Sequence, residues 1–330
     1  GQRLAAEEAI TPSEMRLLAI YTANQAALDE VETRLTAWMA GGAEAASGVD
    51  TFYHSADGEA DDSVATMIFN EWWKKVIAAT FEDEGMAPAF GPDVSTSITR
   101  AMYDLYRGRG AGNPAGLQSW NVLTSESVFF DDLGTAEVES SHEVSLSALA
   151  AALSALSADP DPEVPGVGGF GSTDMDDWRW GLRHLVKFES VVASFVGTDP
   201  AFALLANGFS ITPETLPLAP DLEATDPRAT LPWFPRPGDL FNVDAGHYNP
   251  FGDDYFYANG PVMRMVVRLE EGNISGVNIL PGGQSGLTDS NQFDDQVQLW
   301  LANETVPLRF HVADVVAGAT SRETYAPMGE

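Results

Sequence analysis

The sequence predicts an α+β fold in which a mostly helical region, residues 1–160, precedes Pro- and Gly-rich crossings and a β-rich region over residues 161–330. Three observations predict it. Apolar residues recur at helical spacing through the first half, prolines and glycines break that pattern after Pro160, and a two-residue alternation sets in at Met263.

The stretch Thr11-Pro12-Ser13-Glu14 joins an N-capping Thr, a Pro at the first helical position and a Glu three residues beyond the cap. Together they satisfy backbone donors that a first turn leaves without partners, so a helix starts there. Met15, Leu18, Leu28, Val31, Leu35 and Trp38 carry its apolar face, and Gly41-Gly42 can take the left-handed backbone that closes it. One or two helices are expected between 12 and 40. Asp62 is placed to cap the next helix, whose stripe is Val64, Ile68, Trp72, Val76 and Ile77. A further helical pattern holds Ile98, Met102 and Leu105. Another holds Leu146, Leu149, Leu153 and Leu156 and is stopped by Asp159-Pro160-Asp161-Pro162.

The stretches 160–171 and 213–237 are too rich in Pro and Gly for regular structure and read as surface crossings. Met263, Met265, Val267 and Leu269 then alternate with Arg264, Val266 and Arg268, as a strand requires. A turn at Glu271-Gly272-Asn273 leads to Ile274, Val277 and Ile279, which completes a hairpin. Residues 309–316 are expected to add one more strand. The chain holds no internal repeat and no low-complexity tract.

Composition removes several function classes. With 49 acidic residues against 17 basic ones, the formal charge of -32 repels nucleic acid phosphates and anionic lipid surfaces, so neither nucleic acid nor membrane is an expected partner. Lys74, Lys75 and Lys187 are the only lysines, and so acidic a surface suits a salt-rich or secreted setting. The absence of cysteine excludes disulfides, thiolate metal sites and a cysteine nucleophile. No apolar run reaches the length of a membrane span, and the first residues lack the basic start and hydrophobic stretch of a signal peptide. Gly1 without a preceding Met suggests either processing or an artificial start to the chain.

Four local patterns invite a chemical reading, and each has a plainer one. Gly166, Gly168 and Gly171 fit G-x-G-x-x-G, but Pro162 and Pro165 stand where a dinucleotide site needs a strand, so a loop is favoured. Ser285 lies in Gly282-Gly283-Gln284-Ser285-Gly286, yet Leu287 breaks the Gly-x-Ser-x-Gly order of a nucleophile elbow, and a Gly-rich turn is favoured. His54, His142, His184, His247 and His311 lack the close pairing of a zinc site, and His184, in a Trp-rich helical segment, reads as a packed ring. The acidic runs at 57–62 and 253–254 supply hard oxygen ligands for a structural calcium, without EF-hand spacing; solvated loops or a helix cap are favoured.

The C-terminal part carries the recognisable words. Met263-Arg264-Met265-Val266-Val267 is followed by Leu280-Pro281-Gly282-Gly283-Gln284-Ser285-Gly286, then by Phe293-Asp294-Asp295-Gln296, Trp300 and Pro307-Leu308-Arg309-Phe310. This order resembles the end of the β subunit of penicillin amidases, the penicillin acylase family of N-terminal-nucleophile (Ntn) hydrolases. Trp178-Arg179-Trp180-Gly181-Leu182-Arg183-His184 resembles the family's W-x-W-G-x-x-H, and Pro237-Gly238-Asp239 resembles the G-D before its last strands. The N-terminal helices, with Thr11-Pro12-Ser13-Glu14-Met15 and 62–73, are similar as well.

The resemblance implies strands that belong to an Ntn-hydrolase α-β-β-α sandwich, incomplete in this chain. It implies hydrolysis of linear amides, such as acylated β-lactams in antibiotic biosynthesis or acyl-homoserine lactones, through an acyl-enzyme. In that family the nucleophile is a serine freed at the β N-terminus, and its own α-amine, with a pKa of about 8, acts as base. Serine and oxyanion-hole asparagine both fall upstream of the region matching Thr11, so no catalytic, cofactor-binding or metal residue is assigned to a position here, and the isolated chain is expected to be inactive. The chemistry needs no cofactor. The implied partners are the α chain, the N-terminal part of the β chain and a small amide substrate, in a periplasmic or secreted location. The rivals are a non-catalytic binding or structural module derived from that fold, and a metal-dependent hydrolase using the acidic loops and His247.

Overall fold

The helical start at Thr11 is present in the computed structural model, which describes residues 2, 11–86, 95–108, 116–189, 201–202, 208–319 and 321. In helix α1 (Pro12–Ala23) the Thr11 hydroxyl accepts from the Glu14 amide while the Glu14 carboxylate accepts from the Thr11 amide, so two otherwise unpartnered donors are satisfied. Asn24 interrupts the run, and α2 (Gln25–Gly41) ends where Gly42 adopts a φ of 107°. Helix α3 (Ala60–Phe81) spans 22 residues. Its start corrects the expected Asp62 cap. Glu59 occupies the cap without a side-chain bond, and Asp61 and Asp62 lie in the first turn, where carboxylates face the amide end of the helix.

Helix α3 is enclosed on more than one side. Val64, Met67 and Ile68 pack with Tyr21, Leu28, Val31, Leu153 and Leu156, while Val76, Ile77 and Phe81 pack with Ile98, Met102 and Leu105 of α4 (Ser95–Arg107) and with Phe130. Val144 and Ala148 of α5 (Ser141–Ser157) complete the second cluster. A helix so enclosed has little solvent face for its polar residues, and Ser63, Thr66, Asn70, Glu71, Lys74 and Thr80 are buried as well. Each then needs a partner. The Thr66 and Thr80 hydroxyls donate back to the Asp62 and Val76 carbonyls at 2.7 Å. At α5, Ser140 and Glu143 form a second reciprocal cap, and the Glu143 carboxylate also accepts from Ser13 Oγ and Arg16 Nε at 2.5 Å, fastening α1 to α5.

The chain leaves α5 through glycines. Phe170 N donates to Leu156 O and Gly171 N to Ala158 O, so the crossing folds back over the last carbonyls of α5. A Cβ on Gly169 would lie 2.2 Å from Ala158 O, an approach that only glycine tolerates. The glycine pattern therefore serves to close a helix. The segment with His184 is a pair of single 3-10 turns, Met175–Asp177 and Trp180–Leu182, followed by β3 (Leu185–Val186), which corrects the helical expectation there. Strand β3 pairs with β4 (Phe234–Pro235), and a 3-10 turn spans Pro227–Thr230, so the second crossing does hold regular structure. A further antiparallel pair joins β1 (Trp120–Asn121) to β2 (Glu126–Ser127).

Two compact units result, residues 1–187 with 211–260, and residues 188–210 with 261–330. They follow packing, whereas the division at residue 160 follows secondary-structure character. The second unit holds β5 (Arg264–Glu270), β6 (Asn273–Ile279) and β7 (Val306–Leu308), antiparallel in the order β5-β6-β7. The hairpin is as expected: Glu270 pairs with Asn273 across Glu271 and Gly272, the latter with a φ of 76°. The strand expected over 309–316 is corrected. The third strand is β7, with Pro307 on an edge where a missing donor is tolerated, and Val312–Ala317 is a helix, α7. Val312, Val315 and Val316 stand at i, i+3 and i+4, a helical spacing that outweighs their β-branched character. Helix α6 (Val297–Leu301) buries Trp300, whose indole donates to Val262 O. Helices with small antiparallel sheets make the class α+β. Among the described residues no helix is long and apolar enough to cross a membrane.

His184 shows how tightly the first unit is packed. It is fully buried and stacks on Trp180 with centroids 4.7 Å apart, and its Nδ1 and Nε2 stand 2.8 and 3.1 Å from the Arg236 and Gly246 carbonyls. Burial drives its pKa down to about 4, so the ring is neutral at pH 7. A neutral imidazole has one N–H; the shorter contact places it on Nδ1, which donates to Arg236 O. Because the unfolded ring binds its proton near pH 6.5 and the folded ring only near 4, stability is complete above 6.5 and falls as the pH drops from 6.5 to 4, by about 3 kcal/mol at most. Denaturant unfolding across that range should show this loss in the parent and a shallower slope in His184→Gln; equal slopes would assign the acid sensitivity to other groups. Trp180→Phe should cost about 2–4 kcal/mol, because it leaves a buried carbonyl without its donor and opens a cavity. A change below 1 kcal/mol in the same measurement would contradict the packing described.

Candidate functional site

The polar groups buried along α3 are met by loops from far along the chain. Ser63 Oγ donates to Ser47 O at 2.7 Å and accepts from the Trp180 amide at 2.8 Å. The Trp180 indole donates to Gly238 O at 2.8 Å, and Gly238 N donates to Ala45 O at 2.7 Å. Gly238 has a φ of 86°, and a Cβ there would lie 2.0 Å from Asp244 O. Asp239 is wholly buried. Its Oδ1 accepts from the amides of Phe241 and Asn242 at 2.7 and 2.9 Å and from Asn242 Nδ2 at 2.9 Å, and its Oδ2 accepts from Asn70 Nδ2 at 3.3 Å. Asn70 Oδ1 accepts from the Tyr248 hydroxyl at 2.8 Å. Trp178-to-His184 and Pro237-Gly238-Asp239 thus meet over α3, and their hydrogen bonds are spent on holding loops to a helix.

The C-terminal words do the same in the second unit. Gln296 N donates to Gly282 O at 2.9 Å and Gln296 Oε1 accepts from Leu280 N at 3.2 Å, so the glycine turn and the Asp-Asp-Gln segment clasp each other. A Cβ on Gly283 would lie 2.0 Å from Gln292 O. Ser285 is part of the turn: its amide donates to Gln292 O at 2.9 Å and its hydroxyl accepts from Leu287 N at 3.1 Å. Turn formation accounts for this serine.

A polar cleft of about 600 Å³ gathers ionisable groups that the sequence reading passed over. Glu71 and Lys75 form an i,i+4 ion pair at 3.2 Å, and the Tyr255 hydroxyl donates to the other Glu71 oxygen. Lys74 places its ammonium 4.1 Å from the Tyr255 ring centroid and donates to Asp254 O at 3.4 Å. Burial pulls the Lys74 ammonium below its usual pKa against the opposing charge of Glu71, while burial and then Glu71 hold the Tyr255 phenol well above its own. Asp159, Asp161, Glu163 and Asp253 also line the cleft. The signal was present in the sequence, since Glu71, Lys74 and Lys75 are charges inside an otherwise apolar helical stripe.

The other candidates do not converge. The acidic run becomes a turn with Gly58 at a φ of 86° and the first turn of α3, and Asp61 stands 3.6 Å from Arg34. Asp254 Oδ1 accepts from the Phe256 amide at 2.9 Å. His54 faces Glu59 at 3.2 Å, His311 faces Asn273 at 3.2 Å, and His247 lies on a backbone bridge with Asn259. Among the described residues no three His, Asp or Glu side chains are placed to hold a metal ion.

No curated protein matches this chain. The sequence profile described as penicillin amidase matches residues 2–317 and so takes in the helical unit, both Trp-Gly and Gly-Asp loops and the C-terminal turn whose geometry is given above. The chain belongs to the penicillin amidase family.

Proposed function

We propose that this chain is the C-terminal framework of an amidohydrolase that cleaves linear amides through an acyl-enzyme on an N-terminal serine carried outside residues 1–330, and that residues 1–330 alone do not hydrolyse amides. The family match over 2–317 carries the reading. In this reaction the serine oxygen bonds to the amide carbon as the C–N bond breaks, the proton passes by way of the α-amine to the leaving amine, and water then releases the acid. A free α-amine with a pKa of about 8 can accept that proton at neutral pH. Ser285 is an internal residue with no α-amine of its own to act as base, and its hydroxyl accepts a turn amide. The substrates are acylated β-lactams or acyl-homoserine lactones, the site of action is the periplasm or the exterior, and the partners are the α chain and the N-terminal part of the β chain.

The sheet supports the same reading. Met265, Val267, Leu269 on one face of β5 and Val266 on the other are all exposed, Val266 by 66% and Leu269 by 76%. The face with Met265, Val267 and Leu269 is apolar and belongs against another layer, since in water it is an aggregation hazard, while Val266 on the other face stands between Arg264 and Arg268. Membership of an α-β-β-α sandwich completed by other parts of the enzyme accounts for it.

Assayed with a chromogenic acyl-anilide, purified 1–330 should show no turnover, whereas the processed gene product should, and Ala at its new N-terminal serine should abolish it. Turnover by 1–330 that disappears in Ser285→Ala would overturn the proposal. Leu269→Lys in 1–330 should lower binding of a hydrophobic dye and raise solubility while changing stability by no more than about 0.5 kcal/mol. Placed in the processed enzyme, the same substitution should cost several times as much; equal costs in both would remove the argument from the sheet.

A further inference from the structure

The first unit contains a second cavity of different character, about 620 Å³, within the size range of small-molecule sites. Trp38 on α2, Phe69 and Trp72 on α3, and Phe241 just beyond Asp239 form its walls. Phe69 is the hub, with ring centroids 5.5 Å from Trp38, 6.3 Å from Trp72 and 5.3 Å from Phe241. Both indole N–H groups are spent elsewhere, Trp38 on Glu44 O and Trp72 on Ser145 O, each at 2.8 Å. What they offer the cavity is therefore carbon surface and ring electrons.

Among the polar lining groups, Glu32 stands exposed at the rim, where one oxygen also accepts from Gln2 Nε2, Thr36 adds an exposed hydroxyl, and Asp239 at the back is already engaged by Asn70, Phe241 and Asn242. None of the described lining residues is Lys, Arg or His. An apolar hollow of this kind gains little from an anion, which would meet two carboxylates in a chain of net charge -32. A cation carried on an apolar body gains three ways: its body is buried against the rings, its charge is drawn to their faces, and its N–H groups find Glu32. Phe241 is 41% exposed and Met39 62%, so the apolar surface is open to a ligand.

We propose that this pocket binds an apolar organic cation, an arylalkylammonium ion, by aromatic contact with Trp38, Phe69, Trp72 and Phe241 and charge pairing with Glu32. The site stands on its own residues and does not depend on the amidase reading. The probe is phenethylammonium, titrated by calorimetry into the folded chain alongside 2-phenylethanol and 3-phenylpropionate, which keep the aryl body and change the charge. Saturable binding of the ammonium about tenfold or more tighter than the alcohol, with the carboxylate weakest, is the expected order. Glu32→Gln, at an exposed position, should weaken the ammonium about two- to fivefold and leave the alcohol unchanged. Phe241→Ala should weaken both, with the far-ultraviolet circular dichroism of each variant reporting an intact fold. The proposal is overturned if none of the three probes saturates, if the alcohol or the carboxylate binds as tightly as the ammonium, or if Glu32→Gln leaves the preference for charge unaltered.

Discussion

The polar residues buried along α3 impose the constraint from which the rest of the first unit follows. Ser63, Asn70 and Glu71 are buried and cannot be withdrawn from water without partners. The partners come from distant segments: Trp180 for Ser63, Asp239 and Tyr248 for Asn70, Tyr255 for Glu71. Satisfying one helix thereby draws the crossings after α5 and the loops around Asp239 into one packed body. The cost of an unmet buried donor or acceptor, about 1–3 kcal/mol each, is what makes this assembly cooperative.

The residues that carry the family resemblance turn out to be structural in a specific sense. Trp180 and Gly238 are joined by one hydrogen bond, Asp239 shapes the turn that follows it, and Gln296 clasps the glycine turn containing Ser285. These are loop-to-core fastenings. They agree with the proposal that attack on the amide carbonyl belongs to a chain terminus elsewhere in the enzyme, and that residues 1–330 contribute shape, a partly exposed sheet and two cavities of contrasting polarity. One of those cavities is charged, with an amine held over a phenol; the other is aromatic, with a carboxylate at its rim.

Backbone signals account for what was legible from the residues. The caps at Thr11 and the stop after α5 depend on neighbours within four positions, so local chemistry decides them. The hairpin at Gly272 depends on one turn residue and two alternating runs. Where a reading failed, two local signals competed. Val312, Val315 and Val316 have β-branched side chains at helical spacing, and the spacing prevailed; Asp62 is a good capping residue that lies inside the helix it was expected to start.

By itself the sequence determined the main helices of the first 160 residues, the hairpin, the absence of thiol chemistry, the strongly anionic surface and the family, because these rest on composition, on short-range periodicity and on an ordered set of words. Only the tertiary structure decided that Lys74 is buried over Tyr255, that His184 is a neutral packed ring, and that four aromatic rings from three segments enclose a cavity beside Asp239. The physical reason is separation along the chain. Phe69 and Phe241, or Glu71 and Tyr255, become neighbours only after the core around α3 has formed, and burial, which sets both their packing and their charge states, has no value until it has.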